Sequence, residues 1–407
     1  MVNQLPQGWK EEELGKLVDI FDNLRKPVSS TERLARIKNK DKSELYPYYG
    51  ATGLVDYIDG YIFDGEYLLL GEDGCPFLDS LKDKAYIISG KTWVNNHAHV
   101  LRAKENKTSN KFLLYYLNKF DYNGIVSGAT RLKLNQNSMK KIPVYYPTDK
   151  SEQEYIVKTL DAVAEIIRLR KENIQLTKDL IPAIFHEMFG DPITNPKGWD
   201  KKDLGDVCSK ITDGSHNPPK GIKEGIFILL SSQNILNNVI NTNGCRFVSE
   251  DDFIKENKRT KLSYGDILLT IVGTIGRSAI YKKQYENIIF QRSVAVLSPN
   301  KKFVNSEYLN AYIQTDFIQN VLQNKAHGVA QLGIYLKDLR KVEVLCPPLS
   351  KQEEFADKVE QINKYIATQQ EELEHFETLF QSLLQEAFTG ILTWNYPRKE
   401  CHDKKDK

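Results

Sequence analysis

The sequence lacks long hydrophobic runs. No stretch of its 407 residues approaches the ~20 apolar residues that a membrane-spanning helix needs. The N-terminal residues, M-V-N-Q-L-P-Q-G-W-K-E-E-E, also lack the apolar core of a signal peptide. These two absences predict a cytoplasmic protein.

Cysteine is scarce and shows no pattern. The five cysteines are odd in number, scattered along the chain and never arranged as C-x-x-C. This argues against both a disulfide framework and a zinc site. We expect ordinary reduced thiols.

Net charge is small. The chain carries 56 basic and 54 acidic residues, a formal net charge of +2, which is weak for a protein whose only task is to bind a polyanion. The basic residues are nevertheless clustered, because the segment from Arg131 to Lys141 holds four of them and no acid, and residues 255–261 are also basic. Such patches attract phosphate locally, although solvated loops have the same composition.

Nucleotide-binding and methyl-transfer motifs are missing. No G-x-x-x-x-G-K-[ST] loop occurs, so any use of ATP would belong to a partner. Residues 217–220, N-P-P-K, are similar to the N-P-P-aromatic motif of amino-methyltransferases. However, Lys220 replaces the aromatic residue that would stack on a flipped base, and no glycine-rich cofactor loop precedes it. We predict no methyltransferase activity.

Two further patterns imitate metal sites. Asp83 with Glu105 and Lys107 has the acid-x-lysine spacing of metal-dependent nucleases, but such triplets are frequent in lysine-rich chains. His97 and His99 could ligate a metal from one face of a strand, yet no third ligand is evident nearby in the sequence. We predict neither a catalytic residue nor a metal ligand.

The sequence does contain a long internal duplication. Residues 128–144, G-A-T-R-L-K-L-N-Q-N-S-M-K-K-I-P-V, return at 328–344 as G-V-A-Q-L-G-I-Y-L-K-D-L-R-K-V-E-V. Gly8-Trp9 returns as Gly198-Trp199, and Gln153-Glu154 returns as Gln352-Glu353. A period near 200 residues is far above the solenoid range of about 20–50, so each copy is large enough to be a domain.

A heptad pattern follows each copy. Apolar residues alternate by four and three over about five heptads, which is typical of a coiled coil rather than of a helix covering a broad core. The stripe positions are Ile156, Leu160, Val163, Ile167 and Ile174 in the first stretch, and Phe355, Val359, Ile362, Ile366 and Leu373 in the second. Arg170 and Gln369 occupy the same heptad position and suit a role in fixing register. The alternative is two amphipathic helices, each packed on its own domain.

Both stretches have helix boundaries. A capping oxygen precedes acidic residues at each start, and Gly190 or Gly390 follows each end. A helix of about 40 residues is about 60 Å long, so a pair lying together would hold two domains apart. Pro182 lies inside the first stripe and predicts a kink or interruption near Asp179.

The rest of each copy alternates short β-type runs with short amphipathic helices. The runs lie at residues 67–70, 85–88, 266–269 and 294–297, and the helices at 112–117 and 308–313. This pattern favours α+β domains with a twisted antiparallel or barrel-like sheet.

Side chains that can contact base edges or phosphates are concentrated between these elements. Arginine pairs with guanine and asparagine or glutamine with adenine in the major groove. The candidates of the first copy are Tyr48, Tyr49, Thr52, Lys91, Trp93, Asn95, Asn96, His97, His99, Thr130, Arg131 and Lys133. Those of the second copy are Asp213, Ser215, His216, Asn217, Ser232, Asn234, Thr274, Arg277, Gln291, Arg292 and Gln331. We expect the residues near Arg131 and Lys133 to contact the DNA backbone, which positions more than it specifies.

Together these features resemble a known family, the specificity subunit of type I restriction-modification systems. The resemblance covers essentially the whole chain. It depends on the paired helices and on residues 46–53 (Y-P-Y-Y-G-A-T-G), 65–74 (G-E-Y-L-L-L-G-E-D-G), 93–99 (W-V-N-N-H-A-H), 211–216 (I-T-D-G-S-H) and 291–294 (Q-R-S-V).

The resemblance implies a non-catalytic subunit built from two target recognition domains, each reading one half of a split DNA site. The helices look like the family's conserved regions, which space the half-sites and dock two methyltransferase (M) subunits. Those partners would bind S-adenosylmethionine and methylate adenine, and motor endonuclease (R) subunits would use ATP and Mg. This subunit itself would hold no cofactor.

The resemblance also suggests a division of the chain. We expect recognition domains at residues 1–148 and 191–348, spacer helices at 149–190 and 349–390, and a C-terminal tail at 391–407. The fold class is α+β: two similar mixed α/β domains separated by two long helices in an antiparallel coiled coil, with a pseudo-twofold repeat. Thr130-Arg131 differs from Ala330-Gln331, so we expect an asymmetric target.

Three alternatives remain open at this point. The chain could be the DNA-reading subunit of another two-part restriction system, a self-sufficient methyltransferase or nuclease with a degenerate site, or a dimeric scaffold that uses its coiled coil only for assembly.

Overall fold

The structure, a computed structural model, describes residues 5–236, 238–282, 286–328 and 332–393. These residues form two compact units. Unit 1 comprises the described residues up to Arg170 together with those from Glu372 onward, and unit 2 comprises Lys171–Glu371. No helix in these ranges is both long enough and apolar enough to cross a membrane.

Unit 1 contains the strands and short helices of the first copy. Its strands are β1 (Trp9–Glu13), β2 (Val18–Ile20), β3 (Tyr46–Gly50), β4 (Gly53–Ile58), β5 (Phe63–Asp64), β6 (Tyr67–Gly71), β7 (Ala85–Ile88), β8 (Lys91–Val94), β9 (Ala98–Ala103) and β10 (Pro143–Pro147). Its helices are α1 (Leu14–Leu17), α2 (Ser30–Ile37), α3 (Asn110–Lys119), α4 (Gln136–Lys140) and the first part of α5 (Lys150–Phe189), with 3₁₀ turns at Asp22–Leu24 and Lys42–Glu44.

Two four-stranded sheets form the body of unit 1. One is antiparallel with the order β2-β9-β6-β7, and the other has the order β4-β3-β8-β5 with β3 and β8 parallel. Strand β6, Y-L-L-L-G, is buried at every position, because it lies inside its sheet and is covered on both faces. A separate antiparallel pair, β1 with β10, joins the two ends of the domain.

Unit 2 repeats this plan. Its strands are β11 (Asp200–Asp203), β12 (Cys208–Asp213), β13 (Phe227–Leu230), β14 (Ile235–Leu236), β15 (Val239–Ile240), β16 (Arg246–Val248), β17 (Ile267–Thr270), β18 (Ser278–Ile280), β19 (Ile288–Phe290), β20 (Val294–Pro299) and β21 (Glu343–Cys346). Its helices are the second part of α5, α6 (Leu204–Val207), α7 (Glu250–Thr260), α8 (Ser306–Ile313), α9 (Asp316–Asn324), α10 (Leu336–Leu339) and the first part of α11 (Leu349–Thr389), with a 3₁₀ turn at Ser232–Asn234.

The antiparallel sheet of unit 2 has the same order as that of unit 1, whereas its second sheet has three strands, β16-β13-β19, and β14 pairs with β15 separately. The antiparallel order β12-β20-β17-β18 corresponds to β2-β9-β6-β7, and the parallel pair β13 and β19 corresponds to β3 and β8. The pair β11 with β21 corresponds to β1 with β10. The expected antiparallel sheet is therefore present in each copy, and the parallel pair beside it is a feature that the sequence pattern did not predict.

Each unit encloses its own apolar core, and both long helices contribute to each core. Ile156 and Leu160 of α5 are buried in unit 1 together with Leu384 and Ala387 of α11. The core of unit 2 contains Phe355, Val359 and Phe185, the counterparts of Ile156, Leu160 and Leu384, together with Phe189. The predicted heptad stripe is thus buried or half-buried along both helices.

The two helices run antiparallel within each unit. In unit 1 the start of α5 shares a core with the end of α11, while Arg170 forms an ion pair with Glu372 and lies 4.6 Å from the ring centroid of Phe376. In unit 2 the rings of Phe185 and Phe355 are 5.7 Å apart, so the end of α5 meets the start of α11. The predicted α+β fold with a repeat and a paired-helix coiled coil is confirmed.

One of the two expected effects of Pro182, an interruption of the first long helix, is wrong, and the other, a kink, stays a prediction. Pro182 does not interrupt α5, which continues as a single helix of 40 residues from Lys150 to Phe189. Packing of the flanking residues Ile181 and Phe185 on the core of unit 2 stabilises the helix across the missing backbone hydrogen bond.

Candidate nucleic-acid interface

A loop with two basic side chains docks on the end of β6 in unit 1. This basic loop, residues 127–134, carries Arg131 and Lys133 and is closed by the backbone bridge Ser127↔Lys133. Its backbone pairs with the residues that follow β6, because the Leu134 amide donates to the Glu72 carbonyl at 2.7 Å and Asp73 and Lys133 form an antiparallel bridge. Gly128 makes the turn possible: its φ is +104°, and a Cβ there would lie 2.3 Å from the Arg131 carbonyl oxygen.

Two adjacent acids pair with the basic side chains of this loop. Arg131 Nη2 donates to Asp73 Oδ1 at 2.9 Å, and Lys133 Nζ lies 3.2 Å from Glu72 Oε1. His97 Nδ1 also approaches Asp73 Oδ1 at 2.6 Å, but its N–H is not aligned for a hydrogen bond. Arg131 remains largely exposed, with 62% of its side-chain surface accessible, so it is held in place and still available to a ligand.

A buried histidine supports this loop from beneath. His99 Nδ1 lies 2.6 Å from Asp22 Oδ2, and His99 Nε2 lies 2.8 Å from the Leu134 carbonyl oxygen. Both ring nitrogens therefore lie within hydrogen-bond distance of oxygen atoms. Burial raises the pKa of the Asp22 carboxyl, but hydrogen bonds from His99, Gln136 and the Val100 amide, with the charge of His99, outweigh it and hold the pKa below its usual value.

The same residues have the composition of a metal site. Ligand atoms of Asp22, Glu72 and His99 lie within 4.8 Å of one another, so the fold supplies the two acids that the sequence did not place beside His99. These atoms are already engaged, because Arg25 Nη1 donates to Glu72 Oε2 at 2.7 Å and both His99 nitrogens have partners. The cluster is therefore a satisfied ion-pair network rather than an open coordination site.

A cleft opens beside the basic loop. Its volume is about 540 Å³, and it is lined by predicted residues from three parts of the chain. They are Tyr48, Asn95, Asn96, His97 and Arg131, with Asp73 and Arg33 completing the polar wall. Thr52, Lys91 and Trp93 do not line it. The cleft thus combines amide, imidazole and guanidinium groups, which suits recognition of base edges.

Several predicted contact residues of unit 1 lie inside the fold. The backbone places Tyr48 and Tyr49 on β3, Lys91 and Trp93 on β8, and His99 on β9, so they belong to strands rather than loops. Tyr48 is 1% exposed and His99 is fully buried. The side chains of Tyr48 and His99 therefore present almost no surface to DNA in this fold, whereas the predicted contacts of Tyr49, Lys91 and Trp93 stay predictions.

The reason is that these side chains point inward and already have partners. The Tyr48 hydroxyl accepts from the Val28 amide at 3.0 Å. Asn95 is 7% exposed and its Oδ1 accepts from the His97 amide at 2.8 Å, so it orients the turn that carries His97. The indole N–H of Trp93 donates to the Lys26 carbonyl at 2.7 Å.

The remaining candidates of unit 1 differ in exposure. Thr52, Lys91, Asn96 and Thr130 are exposed, and Tyr49 is half-buried against the ring of Tyr86. Lys91 Nζ lies 4.8 Å from the ring centroid of Tyr61.

In unit 2 a second polar group forms where two segments meet. Ser215 and Gln291 form a parallel bridge, and the Arg292 amide donates to the Ser215 carbonyl at 2.9 Å. His216 Nε2 lies 2.8 Å from Asp213 Oδ2. The predicted residues Asp213, His216, Gln291 and Arg292 are thus brought together, whereas the buried Ser215 holds the two segments in register.

The other candidates of unit 2 are dispersed. Asn234 is a capping residue whose Oδ1 accepts from the Ser231 amide at 2.8 Å, and the Ser232 amide donates to Ser293 Oγ. Arg277 lies in the turn between β17 and β18 with the exposed Thr274. Asn217 is exposed, and Gln331 lies outside the described residues.

The acids Glu72 and Asp73 were not predicted from the sequence. They follow a strand with five buried residues, and the equivalent positions after β17 are the apolar Ile271 and Val272. In the second copy apolar residues replace both acids, and Gly333 replaces Lys133. A comparison of the two copies at this point would therefore have drawn attention to the acids.

Comparison with known proteins agrees with the duplicated architecture. A family model described as "Type I restriction modification DNA specificity domain" matches the chain twice, over residues 6–178 and 196–377. A Haemophilus influenzae protein assigned as the type I restriction enzyme specificity subunit S.HindORF215P is 31% identical over 359 residues, covering 84% of each chain. The EcoBI specificity subunit of Escherichia coli is 24% identical over 394 residues, covering 88% of this chain and 80% of that one.

Two solved structures have a similar fold. The S subunit of a type I restriction-modification system from M. genitalium gives a TM-score of 0.51 at 14% identity, with 95% of this chain and 97% of that chain covered. A chain from a structure on complex assembly and conformational transition of the type I R-M system gives a TM-score of 0.54 at 18% identity, with coverage of 96% and 100%.

Proposed function

Because the chain belongs to the type I restriction-modification DNA specificity family, which its sequence matches twice, we propose that it is the DNA-recognition subunit of a type I restriction-modification enzyme. Each unit reads one half of a bipartite target. The observation that carries this proposal is the repetition of one domain plan with different polar groups: Arg131, His97 and Asn96 in unit 1, and Gln291 and Arg292 in unit 2.

The proposed role is recognition, not catalysis. The relatives are named specificity subunits, and this chain acts accordingly as the non-enzymatic member of a complex. We propose that methyltransferase (M) subunits, two per chain, bind S-adenosylmethionine, and that motor endonuclease (R) subunits use ATP and Mg. This chain carries no cofactor of its own and works in the cytoplasm.

The long helices α5 and α11 have two tasks in this proposal. They set the number of unread base pairs between the half-sites, and they present the surface on which the methyltransferase subunits dock. Support comes from their length of 40 and 41 residues and from their exposed outer faces. A helix of 40 residues is about 60 Å long, which is enough to separate two major-groove contacts by more than one turn of DNA.

The test is to express the chain with its neighbouring methyltransferase and to map adenine methylation across host DNA by single-molecule sequencing. We expect methylation at a split motif with two different halves, because the polar groups of the two units differ. Methylation at a continuous motif, or a stable complex that methylates nothing, would contradict bipartite recognition.

Two control measurements address the other function classes. The pure chain incubated with labelled S-adenosylmethionine and DNA should transfer no methyl group, and any transfer would make the chain an enzyme. Failure to bind DNA even with its partners would reduce the chain to an assembly scaffold.

A further inference from the structure

The backbone that docks the basic loop is repeated in unit 2. In unit 1 the Gly74 amide donates to the Leu132 carbonyl, and the Leu134 amide donates to the Glu72 carbonyl at 2.7 Å. In unit 2 the Gly273 amide donates to the Leu332 carbonyl, and the Ile334 amide donates to the Ile271 carbonyl at 2.9 Å. Loop docking therefore depends on backbone bonds that both copies share, not on the charged side chains.

The charged side chains differ between the copies as a set. Unit 1 has the acids Glu72 and Asp73 beneath the bases Arg131 and Lys133. At the equivalent positions unit 2 has Ile271 and Val272 beneath the loop, with Gln331 and Gly333 in the loop sequence. The loop of unit 2 docks without these ion pairs. The ion pairs of unit 1 are therefore not required for docking, and they have another role.

We infer that Arg131 reads a guanine in the half-site of unit 1 and that Asp73 fixes its orientation; this inference rests on the proposed function. The guanidinium uses one Nη2 hydrogen for Asp73. Its other donors have no hydrogen-bond partner among the residues that the structure describes. An arginine held at one side in this way presents the two parallel N–H groups that match the O6 and N7 acceptors of guanine.

The surroundings of Arg131 are shaped for this presentation. Its guanidinium lies over Gly74, where a Cβ would be only 3.0 Å from Nη2, so this position leaves room for the planar group. Asn96 and His97 line the same cleft and can contact the neighbouring base pair. Arg131 is thus a specificity-determining residue, and Asp73 is a positioning residue.

Lys133 differs from Arg131 in its chemistry and in its expected contribution to DNA binding. Its ammonium is a point charge without a planar fork, and half of its side chain is exposed. We assign it to a phosphate contact, which adds affinity equally at every sequence.

The experiment uses the assembled complex of this chain with its methyltransferase. First the methylated motif of the wild-type complex is mapped, and then binding is measured to duplexes that each change one base pair of the first half-site. Wild type should lose about 10- to 100-fold in affinity when the guanine is replaced. In Arg131→Ala, the affinities for the original duplex and for the duplex with the guanine replaced should be nearly equal. Discrimination at the other positions and in the second half-site should not change.

Asp73→Asn provides a readout that a purely structural role would not change. It should reduce the guanine discrimination and at the same time increase binding to unrelated DNA, because one negative charge near the DNA is removed. Lys133→Ala should weaken all duplexes equally and reduce the salt slope by about one. Arg168→Ala is the matched control, since Arg168 is 58% exposed and paired with Glu165, yet lies on helix α5; its motif should be that of wild type.

The inference is overturned if Arg131→Ala keeps the wild-type discrimination at every position of the first half-site, or if Asp73→Asn changes neither discrimination nor background binding. These results differ from failure of the proposed function, in which the wild-type complex itself shows no split motif.

Discussion

At the scale of single residues, unit 1 depends on a buried charge network that joins parts of the chain far apart in sequence. Asp22 accepts from the Val100 amide at 2.9 Å and from Gln136 at 2.9 Å, and it contacts His99. One carboxylate therefore ties β9 to the segment after the basic loop. Removing it would leave buried donors unpaired, which is more costly than the loss of a surface ion pair.

The pH dependence of unit 1 follows from this carboxylate. The pKa of Asp22 is lowered in the folded chain, so the unfolded chain binds more protons and the stabilisation is lost as pH falls through the folded pKa. We expect amide protection of β9, corrected for intrinsic exchange, to decrease below about pH 4. In Asp22→Asn, protection should already be reduced at pH 7 and should vary less with pH. Strand β20 of unit 2 is the internal control, and an equal change there would contradict the assignment.

Residue-level prediction from sequence was limited by strand register. Alternate residues of β3 face opposite sides, and the register shifts between Tyr48 and Tyr49, so which tyrosine is buried depends on an irregularity that no composition rule reveals. Asp73 and Arg131 are 58 residues apart, and only the fold brings them together. In contrast, Arg131 and Asn96, which the sequence places in polar loops, do line the cleft, because exposed polar loops keep their character in any register. Their predicted contact with DNA stays a prediction.

At the scale of secondary structure elements, the helices were the most predictable part. A period of 3.5 residues sustained over five heptads determines which face is buried, whatever the neighbouring domain does. The expected interruption of α5 at Pro182 does not occur. The proline removes one backbone hydrogen bond, but packing of the flanking side chains in the core of unit 2 keeps the helix continuous.

The spacer role of the helices gives a direct prediction. Seven residues inserted into both helices, after Arg170 and after Glu371, fall where the two compact units divide and leave each core intact. The insertion adds about 10 Å of helix, so the unread spacer should lengthen by about 3 base pairs while both half-sites remain the same. Methylation mapping measures both quantities. A changed half-site, or an unchanged spacer, would contradict the ruler function.

At the scale of the whole molecule, unit 1 is assembled from both ends of the chain. The rings of Phe112 and Tyr116 lie 5.6 and 5.2 Å from the ring of Phe388 in α11. Thr393 donates to Glu152, which also accepts from the indole of Trp9. The duplication was visible in the sequence, but this exchange of helix halves was not, because sequence periodicity does not tell which domain a helix covers.

This assembly predicts that a change near the C-terminus destabilises the N-terminal unit. Leu384 is 6% exposed in the core of unit 1, and Leu384→Ala should lower its free energy of unfolding by about 2–5 kcal/mol. Leu379, 45% exposed on the same helix, is the control, and its replacement by alanine should change stability by less than about 0.5 kcal/mol. Hydrogen exchange should report the loss in α3 and not in α8; equal loss in both would refute the division into units.

The division of the chain has a further consequence for synthesis on the ribosome. Unit 2 is one continuous segment, Lys171–Glu371, and can fold as soon as it has emerged. Unit 1 begins first but needs the last turns of α11 to complete its core, so its folding finishes only after α11 has emerged from the ribosome. A product interrupted before the end of α11 therefore contains a finished unit 2 but an unfinished unit 1.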